Sequence, residues 1–266
     1  WIGLVGSEMC IRDSVLSEDI DAFKSAPMPE DHAIDYALSN SKLVEDPIAE
    51  LIFVDDHLVQ SKPLPKELID KGVRFLSLNE AIEDHSHLLE PYFLKDSTRL
   101  GSQKYFGLHA SNVKAGAVLY VPKGVEINEP IAVYHWSNTD KGLICPHTLI
   151  IAEAQSKVSL IDVLASTTEE NRCLNISASN IQGHPSANIY RKVIQNFNSK
   201  TLSFQLDSAI AGRDTQLENI AINLGAAKAR YENQIKINGS GAHVTMYSLS
   251  VAEETQEFDQ RTFQTH

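Results

Sequence analysis

Aromatic residues are scarce here: Phe, Trp and Tyr make up 7% of the 266 residues. A core built from this chain has to lean on Val, Ile, Leu and Ala. At 42% hydrophobic content they suffice for one large domain or two ordinary ones. No run approaches the roughly 18 to 20 continuous apolar residues of a membrane span. Positive charge is also in deficit, with 23 Lys and Arg against 35 Asp and Glu, a net −12. That excludes the basic stripe a nucleic-acid surface needs and reads as ordinary solubility. The three cysteines, Cys10, Cys145 and Cys173, cannot build a disulfide framework, and their odd number suits a reducing compartment. A phosphate-binding loop is lacking too. Asn238-Gly-Ser-Gly241 runs on into Ala-His and not Lys-Ser/Thr, so its glycines read as a tight corner between strands.

Both ends are expected to be cut. Trp1 to Ser14 have neither the basic start nor the long apolar run of a secretory signal. Their string SEMCIRDS resembles translated sequencing adapter, and residues 1–14, Cys10 included, are set aside as non-native. Residues 15–112 read as a mixed α/β region. Glu50 to Gln60 suggests a hairpin around Asp55-Asp56. Pro65 opens a short helix that Gly72 closes. Ser77 and Glu80 have capping-box spacing, and Leu78, Ile82, His85 and Leu89 continue at helical intervals until Pro91. A further helix is expected over about Ser102 to Ala110.

From residue 113 to 266 the pattern changes to Val-, Ile- and Leu-rich segments divided by small-residue corners. Lys228 to Ile237 alternates strictly, with Ala229, Tyr231, Asn233, Ile235 and Ile237 on one face, as a half-buried strand does. In Thr201 to Leu206, Leu202, Phe204 and Leu206 are read as facing inward. Corners precede strands at Lys157, Ala187, Thr215 and Ala242, and again at Arg172, Thr201 and Lys228. Two interleaved series of about 28 residues predict a solenoid with two strands per coil. A β-sandwich also spaces its strands evenly and stays open on pattern alone. A coil of about 27 residues places Phe204 and Tyr231 at equivalent inward positions with stacked rings, and Phe258 or Phe263 extends the ladder.

Several segments taken in order carry a family resemblance. They are Tyr105-Phe-Gly-Leu-His-Ala-Ser111, Gly116 to Pro130 with its Val-Pro-Lys-Gly-Val centre, Pro146 to Ala154, and Val158 to Asp162. Gly212-Arg-Asp214, Leu224 to Arg230, Asn238 to Ala242 and Phe258 to His266 follow. Upstream, Leu51 to Asp55 and Leu78 to Ile82 fit the region before the core. In that order they resemble the SufB/SufD family of iron–sulfur cluster assembly proteins. SufB-like chains carry a cysteine after the strand equivalent to Ser159–Asp162, and here Val163-Leu-Ala-Ser-Thr167 has none, so the chain is read as SufD-like. Tyr190 to Asn198 nevertheless resembles a SufB strand, with Gln195 followed two residues later by an aromatic.

The resemblance implies a right-handed parallel β-helix, preceded here by the small α/β region and cut before its C-terminal part. It implies a scaffold subunit and not a stand-alone enzyme. The expected partners are a SufB-like subunit, met through the β-helix, and a SufC-like ATPase, met through a C-terminal region beyond residue 266. The setting is the cytoplasm or a plastid. No resident cofactor is expected in this chain, and the iron–sulfur cluster is held transiently by the whole complex.

Candidate site residues are few. Gln195 is expected to point into the interior, as a cofactor-side residue or as a buried amide. His266 matches a position typical of the family. No catalytic residue and no metal ligand is assigned. No His pair has the i, i+4 spacing of a helical zinc site. Cys145 and Cys173 are 28 apart, and stacked corners can bring such residues close, although two separate core thiols are the simpler reading. The alternative function is a β-helix carbohydrate-active enzyme, a lyase or hydrolase, which needs an acidic cluster in a groove. Asp162, Asp207 and Asp214 are read as scattered. A purely structural solenoid is a third possibility.

Overall fold

The computed structural model describes residues 19–95 and 100–266, so the segment set aside above, with Cys10, lies outside the described residues. The chain opens with β1 (Lys24–Ser25), α1 (Asp31–Asn40) and a hairpin of β2 (Ala49–Val54) and β3 (His57–Lys62). Asp55 and Asp56, at φ 48° and 63°, form the two-residue turn whose twist matches its strands. Next come α2 (Lys66–Asp70), β4 (Arg74–Ser77), α3 (Leu78–Asp84), α4 (Ser86–Leu89) and α5 (Gln103–Asn112). Gly72, at φ 90°, ends the α2 turn. Ser77 caps α3 as its spacing predicts, since its hydroxyl accepts from the Glu80 amide while the Glu80 carboxylate accepts from the Ser77 amide at 2.8 Å.

The remaining regular elements of the described chain are strands. In order these are β5 (Gly116–Val121), β6 (Ile131–Ser137), β7 (Gly142–Ile144), β8 (His147–Ala152), β9 (Lys157–Ser166) and β10 (Leu174–Gly183). They continue as β11 (Asn188–Asn196), β12 (Leu202–Ala211), β13 (Gln216–Asn223), β14 (Lys228–Ile237), β15 (His243–Ser250) and β16 (Glu257–Thr265). The chain alternates between two sheets. The first runs β4-β5-β8-β10-β12-β14-β16 and the second β3-β2-β6-β9-β11-β13-β15. From β5 and β6 onward every neighbour is parallel, which makes a β-solenoid of about five turns. Antiparallel β4 and β3 close one end, and β2 joins the second sheet beside β6, so both sheets run unbroken from the N-terminal region into the coils.

The predicted corners fall within two residues of the strand starts, but the coil is not of constant length. Leu174 is level with Leu202, 28 residues on, and Leu202 with Lys228, 26 residues on. Both intervals are even, whereas the aromatic ladder needs the odd interval of 27, so the ladder fails. Phe204 is level with Arg230, and Tyr231 with Gln205, so the two rings lie on adjacent parallel strands but on opposite faces. Phe258 is level with Ala229 and Phe263 with Gln234, so neither extends a ladder from Phe204.

Leu202, Phe204 and Leu206 also face outward, correcting the inward reading. They are buried because Phe23 and the α5 residue Tyr105 cover them together with Leu174 and Ile176. The Tyr105 and Phe204 rings stack with centroids 3.7 Å apart. Elsewhere α3 and α4 cover Val118, Leu149 and Ile151, and α1 covers Tyr134 and Val163 on the second sheet. Inside the solenoid an apolar column, including Leu119, Ile150, Leu160, Ile181, Ile189, Leu217 and Ile235, fills the coils next to one set of corners.

Candidate functional site

Beyond that column the interior turns polar. Alternation along β9 and β11 sends Asp162 and Arg191 inward from the second sheet. The same alternation along β8, β10, β12 and β14 sends Thr148, Ser179, Asp207 and Tyr231 inward from the first. Arg191 sits at the centre. It donates to Asp162 Oδ2 through Nε at 2.9 Å and Nη2 at 2.8 Å, and to Asp207 Oδ2 through Nη1 at 2.7 Å. Thr148 donates to Asp162 at 3.0 Å, and Ser179 and Gln205 donate to Asp207 at 2.7 and 3.0 Å. Asn219 carries the network on to the Tyr231 hydroxyl at 3.2 Å.

No residue of this group is more than a few per cent exposed. A buried ion pair persists when its remaining hydrogen-bond positions are filled, as they are here for both carboxylates. Burial pushes Asp162 up, against the pull of Arg191. Burial would strip the proton from Arg191, but the two carboxylates outweigh it and hold the guanidinium charged. Tyr231 is pushed well above the usual range, first by burial and then by Asp207. Two acids thus share one fixed cation. A small cavity beside them is lined by His135, Thr148, Asp162, Ser177, Arg191 and Asp207 among others.

The sequence reading of three scattered aspartates is therefore corrected. Asp162 and Asp207 converge, although they come from different sheets, while Asp214 stays on an outer corner beside Arg213. Spacing gave no signal, because the bridging residue, Arg191, lies on a third strand. Gln195 does face inward and is buried. Its Nε2 donates to the Gly225 carbonyl at 2.8 Å, and its Oε1 accepts from the Phe197 and Gly225 amides. It staples a corner at which a Cβ on Gly225 would lie 1.9 Å from the Phe197 carbonyl oxygen. His266 follows β16 and is exposed.

Cys145 and Cys173 are not brought together. Leu143 is level with Leu174 and Ile144 with Asn175, so the two cysteines are offset by three residue steps, about 10 Å along the strands. Cys145 packs in the cluster under Tyr105, and Cys173 donates to the Thr139 carbonyl at 3.2 Å. Burial drives both thiols up, Cys173 to about 12, so both are protonated at neutral pH.

A buried histidine pair went unforeseen because its members, His109 on α5 and His147 on β8, meet only through helix docking. His109 Nδ1 lies 2.7 Å from the Ile176 carbonyl, which can only accept, so that nitrogen carries the proton. The bare Nε2 then accepts from His147 Nδ1 at 3.0 Å.

Comparison with known proteins matches these regions in order. A family model for the SufBD protein N-terminal region covers residues 43–133, and one for the SUF system FeS cluster assembly SufBD core domain covers residues 135–266. The chain belongs to the SufB/SufD family. It is 33% identical over 199 residues to the iron–sulfur cluster assembly protein SufD of Bacillus subtilis, covering 73% of this chain and 45% of that one. A SufBD family protein of Pyrococcus horikoshii is 22% identical over 244 residues, covering 92% and 54%. One from Staphylococcus saprophyticus is 24% identical over 197 residues, covering 74% and 42%. The chain spans about half the length of the curated relatives it matches and, within the SufBD family, is SufD-like. Among the described residues no helix is long and apolar enough to cross a membrane.

Proposed function

We propose that this SufBD-family chain is a scaffold subunit of a SUF-type iron–sulfur assembly complex. In this reading it pairs with a SufB-like subunit, works with a SufC-like ATPase in the cytoplasm, and is not itself an enzyme. The nascent cluster is cargo of the whole complex, held with ligands from more than this chain. The observation that carries the reading is the ordered match of the N-terminal and core family models along one continuous solenoid. Chemistry supports it. The two thiols of the described residues, Cys145 and Cys173, are buried, protonated and apart, whereas a cluster usually takes four protein ligands, most often thiolates. Nucleotide turnover falls to a partner, since the sequence holds no G-x-x-x-x-G-K-[ST] loop.

The carbohydrate-enzyme alternative needs carboxylates open to a groove, and Asp162 and Asp207 are instead buried on Arg191. The test is affinity purification of the full-length protein from its own cells. Recovery with a SufB-like subunit and a SufC-like ATPase is expected. Recovery alone, or ATP hydrolysis by the purified chain without such an ATPase, would overturn the assignment.

A further inference from the structure

We propose that the solenoid interior contains a built site for an internal water molecule, held between His135 and the charged centre at Arg191. His135 faces inward from β6 and is 3% exposed. Its ring lies flat against Phe53, with centroids 4.9 Å apart and planes 14° from parallel. Among the described residues no protein group reaches either ring nitrogen. Burial drives the group down to about 3, so at neutral pH the ring is uncharged and offers one N–H and one lone pair. Buried imidazole nitrogens need partners, and side chains supply none.

The cavity beside the ring has the volume and the lining for one water. Its volume is about 10 Å³, close to the least that accommodates a water molecule. His135, Thr148, Asp162, Ser177, Arg191 and Asp207 put donors and acceptors around it. Ser177 has capacity to spare, because its hydroxyl is engaged only by long contacts of 3.3 and 3.5 Å. A cation fits less well. The Arg191 guanidinium lines the same space, and among the described residues no group of three or more His, Cys, Asp and Glu is placed to hold a metal ion. Pro146, Leu164 and Ala178 complete the wall, and a space of about 10 Å³ leaves no room for a larger apolar guest.

The same chemistry recurs along the axis. Asn175 on β10, Gln205 on β12 and Asn233 on β14 point inward from successive strands, and among the described residues none of their amide oxygens has a protein partner. The water at His135 therefore joins that ring to the hydrogen-bonded centre at Arg191. None of this rests on the assembly function.

The test is a crystal structure of this chain at a resolution that shows ordered solvent, with anomalous data collected. Expected is one water within hydrogen-bond distance of a His135 ring nitrogen and of at least one of Thr148, Ser177, Arg191, Asp162 or Asp207. Absent density, or an anomalous peak marking a metal ion, would overturn the proposal. His135→Phe keeps the stack on Phe53 and removes both nitrogens. The water should then be lost or move off the ring, and an unmoved water would count against the site as described. If that variant fails to fold, long-range ¹H–¹⁵N spectra of the unmodified chain decide. A single neutral His135 tautomer with a hydrogen-bonded acceptor nitrogen supports the site, and a ring with no such shift refutes it.

Discussion

The two faces of the first sheet in its middle coils are opposite in character, and the order is the reverse of a simple soluble strand. On β10 and β12 the outer face carries Leu174, Ile176, Leu202, Phe204 and Leu206. The inner face carries Asn175, Ser177, Ser179, Ser203, Gln205 and Asp207. Both faces are buried, as is usual for parallel strands covered by helices. The outer face is dry because α5 and Phe23 sit on it. The inner face is polar because Arg191 crosses from the other sheet and gathers two carboxylates. Stability outside thus depends on packing, and stability inside on charge balance.

The sharpest way to break the comparison is Arg191→Met. Removing the one cation leaves Asp162 and Asp207 buried without compensation, and such losses cost about 3–5 kcal/mol. Chemical denaturation should show that loss directly. The companion variant Asp162→Leu/Arg191→Met/Asp207→Leu removes all three charges and should recover most of it, because a well-packed apolar replacement of a buried ion network is often neutral or stabilising. If the triple variant is as unstable as the single one, charge balance is not what holds the inner face.

Outside, Phe204→Ala should cost about 3 kcal/mol or more, since it empties a buried site stacked on Tyr105. The damage should be local to α5. Hydrogen exchange should speed up in Gln103–Asn112 and leave β11 and β13 protected. This residue also shows how far the sequence was legible. Period-two alternation states which residues share a face, and for Lys228–Ile237 it also gave the inner set correctly. It does not state which face is inner when a helix covers the other, so Leu202, Phe204 and Leu206 were read the wrong way round. The hairpin at Asp55-Asp56, the Ser77 cap and the strand starts were legible because each depends on residues close in sequence. The Asp162–Arg191–Asp207 set and the His109–His147 pair were not, because their members come from different strands or from a helix docked on a strand. Coil length was legible only as an average, and an average of 27 put Tyr231 level with Phe204, whereas the actual intervals of 28 and 26 are both even and leave residues 27 apart on opposite faces.

Acid should act through the buried histidines. His135 has a folded-state value of about 3 against about 6.5 unfolded, so the unfolded chain takes up the proton first as pH falls. Stability that His135 leaves intact above pH 6.5 is then lost on acidification, by about 2 kcal/mol at pH 5. His109, at about 4, acts in the same direction. Asp56 opposes them. Burial raises it to about 7, so its contribution is present below the unfolded value and lost as pH rises toward 7. Comparing denaturation at pH 7 and pH 5, His135→Phe should lose less stability on acidification than the unmodified chain, and Asp56→Asn should lose more. Equal pH dependence in all three would mean that neither group is held as its surroundings require.

The smallest effect tests whether the outer helices are independent of the interior. Ser77 ends β4 and begins α3, where its hydroxyl and the Glu80 carboxylate satisfy each other's backbone amides. Loss of such a cap costs about 1 kcal/mol, so Ser77→Ala should lower stability by that amount. The helix it caps lies over Val118, Leu149 and Ile151 on the outer face, whereas the Arg191 network lies on the inner face of the same sheet. Two sites with no shared partner add nearly independently. Combined with Arg191→Met, Ser77→Ala should therefore contribute the same increment it gives alone. An interaction larger than about 0.5 kcal/mol would show that the β-layer transmits strain between its dry and charged faces, and the two would then have to be treated as one unit.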